Sequence, residues 1–267
     1  FHQQGVPVFV SDAKGDLKRL AATCQSVTLS PGRNLTLRLD HMSPDAASRA
    51  LDLTDTQAAC LEIAYRVAEE IGLPLATLAD LRAILQTMVR KPHIVAPYGH
   101  VTSASVSVIM RQIMRIESQG GSSLFSQTCF DVADLLDSGV TILQADSLVN
   151  SPRVYAAFLL FLLEQLYSRL PEIGDNDKPR LVLFFDESHL LFQDANPALV
   201  RKIEQTVRLI RSKGVGVYFA TQSHSDIPAM VCQQLAHVVA HDRALPVGVA
   251  DFQTMTDAGK PVAHKGV

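Results

Sequence analysis

The segment "LVLFFDESHLLF", residues 181–192, constrains the fold more than any other stretch. Leu181–Phe185 is an unbroken apolar run with no polar residue at alternate positions to face water. Such a run reads as a strand buried on both faces, the condition of strands in parallel sheets. It ends in two adjacent carboxylates, Asp186 and Glu187, with His189 just behind them. Either the acids mark where a strand meets water, or one carboxylate handles a metal while its neighbour handles a water.

A parallel sheet needs crossover helices, and the chain supplies them. "VPVFVSDAKGDL" predicts a short buried strand over 6–10, ending at Asp12, with Gly15 allowing a sharp turn. "GVTILQAD" predicts a strand within 139–146, "VGVYFATQS" another, and "LAHVVAHD" one more. Between them, "NSPRVYAAFLLFLLEQLYSRL" opens a helix with Ser151 as N-cap and Pro152 in the first turn. "ANPALVRKIEQTVRLIRSKG" gives a second helix, with Asn196 as cap, Pro197 at its start and Gly214 past its end. Residues 45–137 carry a different signature. Leu61, Ala64, Ala68, then Leu78, Leu81, Leu85, then Ile109, Ile113, Ile116 recur at helical spacing. The reading is an α/β protein whose core, residues 1–44 and 138–267, holds a mostly parallel sheet, with an inserted, mostly helical lobe over 45–137.

Composition excludes several classes. Hydrophobic residues make up 47% and charged residues 19%, which suits a packed α/β protein rather than a disordered one. The net charge of -3 argues against a general polyanion-binding surface but leaves room for a local basic stripe. The longest apolar helix candidate, residues 154–163, is too short for a bilayer, which needs roughly 20 residues, so no membrane span is expected. Cys24, Cys60, Cys129 and Cys232 fit no C-x-x-C spacing and read as reduced, cytoplasmic thiols. The start, "FHQQGVPVFV", lacks an initiator Met and a charged n-region and reads as a mid-protein beginning.

In parallel sheets ligands collect beyond the carboxyl ends of the strands. Four predicted strands end there in Asp12, Asp146, Asp186 with Glu187, and Thr221 with Gln222. An acid at one tip can orient Mg2+ through water, a second acid can act as base toward an attacking water, and an amide on the next strand can sense a terminal phosphate. Asp186, Glu187 and Gln222 fit those parts, with Asp12 a further nucleotide-binding candidate. On the helix between these strands, Leu199, Ile203, Val207 and Ile210 share one face, while Arg201, Glu204, Arg208 and Arg211 share another stripe. That stripe is a solvated face with a helical ion pair, or a source of cations near the sensor strand. His237 and His241 are four apart in a predicted strand, so a helical metal pair is disfavoured, and no G-x-S-x-G elbow supports a serine hydrolase.

"KPRLVLFFDESHLLF", "IEQTVRLIRSKGVGVYFATQS" and "SDAKGDL" together resemble the HerA-like branch of the FtsK/HerA P-loop ATPases. The resemblance extends to "LDLTDTQAACLEIAYRVAEEIGL" and "LVNSPRVYAAFLLFLLEQL". It implies a RecA-like core, use of ATP and Mg2+, a ring hexamer of identical chains, and motion coupled to DNA. It further implies Asp186 and Glu187 as the Walker B pair, Gln222 as sensor, and a trans-acting arginine at Arg211 or Arg208. One departure stands out: no G-x-x-x-x-G-K-S/T phosphate loop occurs among the 267 residues. The expectation is that an upstream segment carries it together with a central strand, whose loss would leave a gap in the sheet. A second jump in the family pattern is expected near Pro246. Two rivals stay open: a secretion or conjugation-type motor acting on protein cargo, and a non-hydrolysing assembly module derived from an ATPase.

Overall fold

Apolar strands that face water on neither side must pair beneath helices. In the computed structural model the main strands are β1 (Val8–Asp12), β2 (Ser26–Leu29), β3 (Val140–Gln144), β4 (Leu181–Phe185) and β5 (Val215–Phe219), of which β1, β3 and β4 are largely buried while β2 and β5 are more open. The structure describes residues 1–17, 26–149, 151–173, 178–192, 195, 197–235, 238–241, 252–255 and 261–263. The five strands form one sheet in the order β2-β3-β1-β4-β5, and every pairing is parallel. Register is continuous across the centre, with Val10 opposite both Ile142 and Phe184 and Phe185 opposite Phe219. The expected gap is absent. β1 pairs with both β3 and β4, and β4 pairs with β5 over five residues, so the ladder groups meant to be orphaned find partners.

Helices fill the connections. Between β2 and β3 run α1 (Pro44–Ala50), α2 (Asp55–Glu70), α3 (Leu78–Arg90), α4 (Ser103–Ser118), α5 (Gly121–Leu124) and α6 (Asp134–Asp137). Their starts follow from local chemistry: α2 and α3 open with capping boxes, Thr54 with Gln57 and Thr77 with Asp80. After β3 come α7 (Asp146–Val149) and α8 (Pro152–Arg169), and after β4 come α9 (His189–Phe192) and α10 (Pro197–Ile210). Ser151 takes the N-cap position of α8 beside Pro152, but its hydroxyl donates to the Gln119 carbonyl at 2.8 Å instead of capping the helix. Every residue of α8 from Val154 to Leu163 is buried, because the helix is enclosed by the sheet, α1, α9 and α10. No helix among the described residues is long and apolar enough to cross a membrane.

The connections β3–α8–β4 and β4–α10–β5 both advance in the same direction across the sheet, so right-handed crossovers place α8 and α10 on one face. Phe9 packs there against Phe158 of α8 and beside Phe185. The other face is less covered at its β4–β5 end. Phe184 and Tyr218 stack 6.1 Å apart, 37% and 43% exposed, and Phe1 lies against Tyr218.

Beyond β5, α11 (Ala229–Cys232) leads to β6 (Val238–His241). "LAHVVAHD" therefore does contain a strand. It pairs, however, with β7 (Phe252–Met255), itself paired with β8 (Pro261–Ala263), in a separate three-stranded sheet. Asn196, His237, Cys24 and Pro246 lie outside the described residues.

Candidate functional site

All five strands point the same way, so one edge of the sheet collects their carboxyl ends. The pairing there outlasts the strands. Asp186 N donates to Ser11 O at 3.3 Å, Ser188 N to Ala220 O at 2.8 Å, and Ala220 N to Phe185 O at 2.9 Å. The turn holding the two acids is thus pinned between β1 and the continuation of β5. Ser188, fully buried, adds a hydroxyl bond to the Phe185 carbonyl at 2.7 Å. Within this turn Glu187 has φ 47, a left-handed conformation that costs a non-glycine residue about 1–3 kcal/mol and gathers at functional sites.

That backbone turns the Glu187 side chain inward, where it is only 6% exposed. Its Oε1 receives the Lys14 ammonium and, at 2.9 Å, the Gln222 amide Nε2. Its Oε2 is buried without a well-directed hydrogen bond, 3.2 Å from His189 Nδ1. The Lys14 ammonium, followed by the Gln222 amide, holds the Glu187 carboxyl below its usual range. Asp186 shifts the opposite way: burial pushes its carboxyl up, and the adjacent Glu187 charge adds to this, against the Glu187 backbone N–H. Neighbouring acids whose environments drive them apart in this manner are suited to different tasks. Glu187 is the ionised acceptor. Asp186, half-buried with no side-chain partner among the described residues, is the acid left available to a cation.

Asp12 ends β1 beside them, 1% exposed, but its carboxylate is spent locally. Gly15 N donates to Oδ1 at 2.7 Å and Leu17 N to Oδ2 at 3.1 Å, folding residues 12–17 into a tight loop with Gly15 at φ 77. This loop is what carries Lys14 to Glu187. Beneath it, Ser11 bonds the hydroxyl of the fully buried Tyr155, tying β1 to α8 under the site. Sequence reasoning missed Lys14. Its available signal was the strand-Asp-x-Lys-Gly order itself, a lysine two residues past a strand tip and just before a turn glycine.

Not every predicted residue converges. Asp146 opens α7 and Thr221 donates to Asp226 Oδ2 at 2.5 Å, and neither contacts Glu187 among the described residues. Arg208 and Arg211 sit at the end of α10, and Arg211 starts the turn into β5, so both belong to the amino-end edge of the sheet. α10 is 14 residues long, which separates its two ends by about 21 Å. Both arginines are exposed and, among the described residues, have no acidic partner. Lys213 is occupied, 3.8 Å from Glu172 and over the Tyr167 ring.

The family model for the helicase HerA-like C-terminal domain matches residues 26–247. Among solved structures, VirB4 of Thermoanaerobacter pseudethanolicus superposes with TM-score 0.58 at 19% identity, over 87% of this chain and 66% of that one. The plasmid coupling protein TrwB in complex with ADP and Mg2+ superposes with TM-score 0.57 at 15% identity, over 87% and 63%. This chain therefore spans less than two thirds of the length of either. No curated protein matches it. At such identities the solved structures establish the fold alone, which this chain shares with VirB4 and TrwB. The match over residues 26–247 covers most of the sequence, and the chain belongs to the helicase HerA-like C-terminal family.

Proposed function

We propose that this chain forms the core of an oligomeric, Mg2+-dependent ATPase that moves or remodels DNA. The observation that carries the reading is the convergence of Asp186, Glu187 and Gln222 at adjacent strand tips, with an ionised carboxylate buried beside a half-open one. In this reading residues 1–44 and 138–267 are the ATPase core and residues 45–137 a helical lobe. Glu187 accepts the proton of a water whose oxygen bonds the γ-phosphorus, while the bond to the bridging oxygen breaks and its electron pair leaves with ADP. Gln222, bonded to the same carboxylate, orients it and senses the terminal phosphate. Asp12 acts through the loop it shapes.

The donor set suits Mg2+ better than a caged metal. Among the described residues no three His, Cys, Asp or Glu side chains could jointly hold an ion. Mg2+ ordinarily keeps several waters and leans on one or two carboxylates plus substrate phosphates, a part Asp186 can fill. Bound there, the ion would offset charge developing on the phosphate oxygens. No G-x-x-x-x-G-K-S/T sequence occurs in these residues, so they do not themselves supply a phosphate cradle of that kind.

Phosphate release from ATP by the full-length protein, with and without Mg2+ and double-stranded DNA, tests the reading. The expected result is turnover that requires Mg2+ and rises when DNA is added. Turnover indifferent to DNA would redirect the motor to protein cargo. An absence of turnover under all conditions would contradict the enzyme and leave an assembly module.

A further inference from the structure

Glu187 is the residue assigned to accept a proton from water, yet in this structure it is only 6% exposed and its carboxylate is already engaged. Oε1 is engaged by two donors, Lys14 Nζ and Gln222 Nε2, and Oε2 is buried beside His189 Nδ1. One of these contacts differs from the rest. Gln222 follows β5, whose continuation is anchored by the Ala220 and Ser188 backbone bonds, and His189 opens α9. Lys14 sits on the loop that Asp12 shapes, and its side chain is 51% exposed, so it has solvent to move into. The loop also sets where an ammonium can go. It is built on Asp12 at a strand tip, next to Asp186, so a lysine released from Glu187 remains at the edge where a triphosphate would lie. A terminal phosphate carries more charge than one carboxylate and presents several oxygens, and an ammonium is a mobile point charge that can exchange one for the other.

We propose that Lys14 is a latch on Glu187: it pairs with the carboxylate while the site holds no triphosphate, and passes to a terminal phosphate oxygen when ATP binds, freeing Oε1 for water. This rests on the ATPase reading above. It makes Lys14 a phosphate-contacting residue that also withholds the base until substrate is in place.

The thermodynamic signature is competition. Glu187 and the γ-phosphate share one cation, so removing the carboxylate's charge should favour the phosphate, and only while Lys14 is present. Equilibrium binding of ATPγS and ADP is measured on the full-length wild-type protein, Lys14→Met, Glu187→Gln and the double variant. Lys14→Met should weaken ATPγS about tenfold or more, the loss expected of one charged hydrogen bond, and leave ADP nearly unchanged. Glu187→Gln should tighten ATPγS severalfold, and that gain should vanish in the double variant. Lys14→Arg, which keeps the charge, should retain the preference for ATPγS over ADP.

If Lys14→Met weakens both nucleotides equally, or neither, or if Glu187→Gln tightens ATPγS equally with methionine at position 14, the latch is overturned while the ATPase reading stands. If wild-type protein binds neither nucleotide, both fall together.

Discussion

At the scale of residues, the site depends on how Glu187 is held. Its backbone is one of two left-handed non-glycine positions among the described residues, and its carboxylate meets Lys14, Gln222 and His189 within one turn of β4. The Lys14 contact makes a prediction about acid stability. A carboxyl held below its ordinary value of 4.5 contributes stability that is present above that pH and lost as pH falls through the lower, folded value. Asp186, pushed up by burial, contributes with the opposite sign, and Lys14→Met leaves that burial in place. Replacing Lys14 with methionine should bring Glu187 back toward 4.5 and flatten the fall in Tm on acidification just below that pH. Thermal melts of wild type and variant across this range check it, and parallel curves would contradict the pairing. That Asp186, Glu187 and Gln222 would stand at the ends of neighbouring strands was readable from sequence, because each follows an apolar strand that announces itself. Lys14 was not, because its partner lies at the far end of the sequence and no local pattern signals an ion pair across two strand tips.

At the scale of elements, α10 illustrates what periodicity predicts and what it leaves out. Leu199, Ile203, Val207 and Ile210 are all buried, as their spacing requires, and the helix hands over to β5 through Gly214 at φ 73. An added Cβ at Gly214 would meet Ile173 Cδ1 at 2.2 Å. Gly214→Ala should therefore destabilise the protein by about 1–2 kcal/mol, the cost of a left-handed alanine, with some further repacking of Ile173. A Tm unchanged from wild type would show that the turn adopts another path. Strands β1, β3, β4 and β5 were legible from apolar runs punctuated by Asp, Gly and Gln. Their order was not, since the gap expected in the sheet is closed by β4 pairing with β5. Strand order depends on long-range pairing that a one-dimensional pattern does not encode. For the same reason "LAHVVAHD" was recognisable as a strand while its place in a separate sheet was not.

At the scale of the whole molecule, the two edges of the sheet have different equipment. The carboxyl-end edge holds the acids, and the amino-end edge holds Arg208 and Arg211, both exposed. Within one chain these arginines are too far away to assist at Glu187. The catalytic part that the family resemblance implies for one of them would therefore be played at a neighbour's site. Arg211→Ala should accordingly reduce turnover sharply in the assembled protein, and adding a second copy that carries intact Arg211 but the Glu187→Gln change should restore part of it. Failure of such mixing to restore activity, with subunit exchange verified, would remove the trans role.

The most direct test of the central claim compares ATP turnover with ATP binding in one variant. Glu187→Gln keeps the shape of the side chain and its contact with Gln222 but cannot take a proton. The account predicts that full-length Glu187→Gln binds ATP at least as tightly as wild type while phosphate release falls by at least about a hundredfold, the lower end of what a general base contributes. Turnover at the wild-type rate would contradict it.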